Sequence, residues 1–64
     1  MKVNTQKIEM LLGKRNMTKA ALSEKSGISR QSISTIIGRG TCLPVTAAKL
    51  ASGLDVDIDE IVEN

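Results

Sequence analysis

The residues best equipped for chemistry lie between Thr18 and Thr41, and they form hydrogen bonds rather than attack carbon centres. Arg30, Gln31, Ser34 and Thr35 recur at i, i+1, i+4 and i+5, which puts them on one side of a helix. A guanidinium can donate two bonds to guanine O6 and N7, and a glutamine amide can pair with adenine N6 and N7. Hydroxyls bond either kind of edge, and a threonine methyl can touch the thymine methyl. The set therefore suits base edges in the major groove of duplex DNA. Around it stand Thr18, Lys19, Ser29 and Arg39, hydroxyls and cations suited to phosphate oxygens or groove edges. Thr18 and Ser29 stand where helices should begin, and free N–H groups there favour anions.

Other chemistries lack their residues. The 64-residue chain has no histidine and a single cysteine, Cys42. That removes a Ser-His-Asp triad, histidine acid–base work and zinc sites of the usual Cys/His type. No enzyme activity, metal or cofactor is expected. Cys42 follows a loop and has no obvious base beside it. With no Phe, Tyr or Trp, stacking of unpaired bases on aromatic platforms is also closed off. An internal disulfide is impossible, which fits a reducing compartment, and the apolar runs are far too short to cross a bilayer. A cytoplasmic protein that binds rather than transforms its partner is the expectation.

Charge is unevenly distributed along the chain. Residues 1–42 carry eight lysines and arginines against Glu9 and Glu24, a net +6. From residue 43 onward Lys49 stands against Asp55, Asp57, Asp59, Glu60 and Glu63, a net −4. A basic first two-thirds points to a polyanionic partner, with the acidic end turned away from it.

These side chains need a scaffold, and its helices can be read from apolar spacing and caps. At this length one domain, residues 1–64, is expected, with an aliphatic core. The first helix should run from about Thr5 to Lys14, capped by Asn4, with Ile8, Leu11 and Leu12 inward. The second starts after Thr18, runs through about Ser26 around Leu22, and is stopped by Gly27. Small residues Ala20, Ala21 and Ser23 should let its neighbour approach. The third, capped by Ser29, spans about Arg30 to Ile37 and buries Ile33, Ile36 and Ile37. Pro44 opens a fourth, with Ala47, Leu50, Ala51 and Leu54 inward. Asp57 should cap a short fifth helix over about Ile58 to Glu63. Period-2 alternation is absent, so no strand is expected.

Residues 18–37 thus read as helix, three-residue turn, helix, a pairing that pushes the second helix outward as a ridge. The run from Ala20 through Gly27-Ile28-Ser29 to Ile33-Ser34 resembles the helix-turn-helix of the XRE family, the Cro/C1-type phage repressor class. The likeness extends from about Asn4 to Val62. It implies an all-α, compact five-helix, lambda-repressor-like DNA-binding domain. It also implies that Ser29, Arg30, Gln31, Ser32 and Thr35 touch bases or nearby phosphates. Thr18 and Lys19 would meet phosphate, and residues 38–43, with Thr41 among them as a phosphate or groove-edge contact, would run beside the DNA backbone. Three departures stand out. Lys19 replaces a common glutamine, Gly38-Arg39-Gly40 replaces a common asparagine–glycine–lysine loop, and Leu12 and Ile37 replace an arginine–glutamate pair.

The function expected is that of a sequence-specific transcriptional regulator, a repressor, bound to a double-stranded DNA operator as a homodimer. A dimer would use Leu43, Val45, Leu54 or Ile58, unless the last two belong to the core. The rival reading is an antitoxin-like or adaptor module in which DNA is secondary.

Overall fold

The computed structural model describes residues 1–63; Asn64, at the end of the expected domain, lies outside them. Its elements are β1 (Lys2–Val3), α1 (Thr5–Lys14), α2 (Lys19–Ser26), α3 (Arg30–Arg39), α4 (Pro44–Leu54), one 3-10 turn (Ile58–Glu60) and β2 (Val62–Glu63). Of the four caps expected from sequence, the three at α-helices are made. Asn4 Oδ1 accepts from the Lys7 N–H at 3.0 Å, Thr18 Oγ1 from Ala21 at 3.1 Å, and Ser29 Oγ from Ser32 at 3.1 Å. Each satisfies a backbone donor that the first turn leaves free.

The core is aliphatic, as expected. Ile8 and Leu12 from α1, Leu22 from α2, Ile33 and Ile36 from α3, and Ala47, Leu50, Ala51 and Leu54 from α4 are buried together with Val3, Ile28 and Ile61. Leu11, Ile37 and Ile58 are half-buried against that cluster. Leu54 is therefore core rather than interface. Of the small residues assigned to helix approach, Ala20 lies on the surface. The tight contact is elsewhere, where α2 packs on α4. A Cβ placed on Gly53 would sit 2.9 Å from Ser26 Cβ. Ser26 is itself buried, and its Oγ accepts from the Ile28 N–H at 3.2 Å.

The end of α3, the fifth helix and the expected absence of strands need correcting. First, α3 runs on to Arg39 rather than ending near Ile37. Both Gly38 and Gly40 could have closed it. Gly40 does so, with φ 74° and its N–H donating to Ile36 O at 2.7 Å. Second, the fifth helix is one 3-10 turn, so the count of five α-helices falls to four. Asp57 does begin that turn, its N–H donating to the Glu60 carboxylate at 3.2 Å. Beyond it the chain extends and pairs antiparallel with the start of the chain, Val62 opposite Val3 and Glu63 opposite Lys2. Asn4 N–H donates to Ile61 O at 2.7 Å. On its other side β1 meets the loop after α3. Val3 N–H donates to Gly40 O at 2.9 Å, Cys42 N–H donates to Met1 O at 3.0 Å, and Lys2 is bridged to Thr41.

Candidate nucleic-acid interface

The turn between α2 and α3 sets the ridge. Gly27, at φ 75°, closes α2 with its N–H on Ser23 O at 2.9 Å. Ile28 then drops into the core, and Ser29 starts α3 in an extended conformation. With Ile33 and Ile36 anchored inward, α3 must present Arg30, Gln31, Ser34 and Thr35 outward. All four are exposed, as are Thr18, Lys19, Ser29, Ser32, Arg39 and Thr41.

The exposed set is divided between two hollows. On one flank of α3, Thr18, Lys19 and Ala20 face Arg30, Gln31 and Ser34. On the other, Ser29, Ser32, Thr35, Arg39 and Gln31 share a hollow with Thr41, Leu43, Thr46 and Lys49. Gln31 lines both, so it stands on the crest. Ala20 matters here for a different reason from the one expected, since its small side chain leaves the first hollow open.

Hydrogen bonds fix some of these groups. Ser29 Oγ donates to Ser32 Oγ at 2.9 Å while it accepts the capping bond. Thr35 Oγ1 donates to Gln31 O at 3.0 Å, which uses its proton and leaves its oxygen as an acceptor. The cations on the flanks are Lys19 and Arg30 on one side and Arg39 and Lys49 on the other. Among the described residues no carboxylate lines either hollow, whereas Asp55, Asp57 and Glu60 line a separate one with Ser52 and Val56.

Cys42 also borders the second hollow. It is half-buried, and burial pushes its thiol above the ordinary value against a smaller opposing pull from the nearby amino terminus. The protonated thiol is a poor nucleophile. Among the described residues no group of three or more His, Cys, Asp or Glu could hold a metal ion, and no helix is long and apolar enough to cross a membrane.

Sequence reasoning missed Thr46 and Lys49. Both sit beside the buried stripe of α4, one turn apart, and the packing of both α3 and α4 on α2 is what brings them to the second hollow. The sole hint was a lone lysine in an otherwise acidic stretch.

A family model described as the Cro/C1-type HTH DNA-binding domain matches residues 7–63. No curated protein and no solved structure matches the chain.

Proposed function

Because the chain belongs to the Cro/C1-type helix-turn-helix DNA-binding family, we propose that it is a repressor that reads a specific duplex operator by laying α3 in the major groove. The observation that carries this reading is the exposed ridge of Arg30, Gln31, Ser34 and Thr35, flanked by two cationic hollows free of carboxylates among the described residues. A groove about 12 Å wide admits one helix and has a sugar-phosphate strand along each side. Arg30 and Gln31 do most of the base discrimination, with Ser34 and Thr35 beside them. Thr18 and Lys19 hold one strand; Ser29, Ser32, Arg39 and Thr41 hold the other or the groove edge.

The protein works as a homodimer on DNA, in the cytoplasm. One recognition helix reads only a few base pairs, so two copies would read half-sites about 34–36 Å, one helical turn, apart on a near-symmetric site. Of the four residues named for such a contact, Leu43 and Val45 beside the start of α4 are 69% and 61% exposed, whereas Leu54 is buried and Ile58 half-buried.

Selection of bound duplexes from a random pool tests the reading. A two-fold symmetric consensus is expected, with binding that weakens steeply in salt, at a log–log slope of about −0.9 per phosphate neutralised. Failure to enrich any duplex, or salt-insensitive binding, overturns it in favour of a protein partner.

A further inference from the structure

We propose that Lys49, with Thr46 one turn before it on α4, is a phosphate contact for the DNA strand that passes the Thr35 flank of α3. This rests on the reading of α3 as the groove-entering helix. Thr46 and Lys49 line the same hollow as Gln31, Thr35, Arg39 and Thr41. They pair a hydroxyl with a cation, as Thr18 and Lys19 do in the hollow across the ridge. Lysine is a compact charge on a flexible stem, suited to an oxyanion whose exact position varies with the duplex.

The role of Lys49 in the fold does not account for it. It is exposed, and its helical neighbours at i±3 and i±4 are Val45, Thr46, Ser52 and Gly53, none of them a carboxylate. No stabilising ion pair along α4 is therefore available to it. It is also the one cation from residue 43 onward, amid five carboxylates. Three of those, Asp55, Asp57 and Glu60, line a different hollow. The fold thus separates Lys49 from its acidic sequence neighbours and sets it beside the cations of the basic segment.

Titration of a fluorescent random-sequence duplex over a salt series, together with selection of bound duplexes from a random pool, tests this, with wild type, Lys49→Gln, Lys49→Arg and Lys25→Gln compared. Lys25 is the control, because it lines a hollow with Arg15, Met17 and Ser52 that contains none of the α3 residues. Lys49→Gln is expected to lower the magnitude of the salt slope by about 0.9, weaken binding to all sequences alike, and leave the melting temperature unchanged. Lys49→Arg should restore the slope, and Lys25→Gln should not alter it. A wild-type slope in Lys49→Gln overturns the contact while DNA binding stands. A change in the selected consensus makes Lys49 a base contact and overturns the phosphate assignment. Wild type that fails to bind the duplex overturns both this inference and the reading beneath it.

Discussion

In this conformation Thr35 donates its hydroxyl proton to the carbonyl of Gln31, which leaves the oxygen facing solvent as an acceptor. On the proposed reading, that acceptor would suit adenine N6 or cytosine N4, and its methyl would suit thymine. Arg30 is the complementary case, a pure donor on the flank nearer α2. Arg30→Ala should remove about 1–3 kcal/mol of discrimination at one base position and leave the melting temperature in place. Affinities measured across single-base operator variants check this; an equal loss on every sequence would make Arg30 a phosphate contact. Residue types and helical spacing were enough to find the outward face. The division into two flanks was not legible, because it depends on what α2 and α4 place alongside α3. Lys49 stayed hidden for the same reason, since a sequence groups it with Asp55 and Asp57 whereas the fold groups it with Thr35 and Arg39.

At the scale of elements, caps were the most legible signals. Asn4, Thr18 and Ser29 act through bonds three residues long, so local sequence determines them. Glycines were less legible, because a glycine can serve a turn or a contact. Gly53 looks like a stop near the end of α4, yet it lies inside the helix, where α4 crosses α2. An alanine methyl there would meet Ser26 Cβ at 2.9 Å, Leu22 Cδ1 at 3.0 Å and Ser26 Cα at 3.2 Å. The last is backbone and cannot rotate away. Gly53→Ala gains about 0.5–1 kcal/mol of helix propensity and loses about 1–3 kcal/mol to overpacking. The net expectation is a lower melting temperature by calorimetry, with the base consensus of the folded protein unchanged. An equal or higher melting temperature would mean that α2 and α4 have room to part.

Over the whole molecule, stability is spread thin. At 64 residues the folded state is favoured by only about 3–10 kcal/mol, so a single buried valine is a sizeable share. Val3 is 4% exposed, paired with Val62 and bonded to Gly40. Val3→Ala should cost about 2 kcal/mol from two buried carbons and the space they leave. Thermal denaturation should show the midpoint falling by about 4–8 °C for each kcal/mol lost; an unchanged midpoint would mean that β1 is dispensable. Neither strand was legible. Each is two residues long, and their partners lie at opposite ends of the chain, so no periodicity within a window of sequence can reveal them. The final helix was overextended for this reason: Asp57 and Glu60 do start a turn, but Val62 is drawn off by a residue that local reasoning cannot see.

The same seam sets an order of events. Neighbouring helices α2 and α3 meet after closing a short loop, whereas joining β1 to β2 must bring together segments separated by almost the entire chain. The seam is therefore expected to zip after the helices condense and to open before them, an order that hydrogen exchange faster at the Val3 and Asn4 N–H groups than in α2 and α3 would reveal. Since the backbone at Lys2 is also bridged to Thr41, such an opening would free the loop beside the ridge and leave the capped helices of the ridge intact.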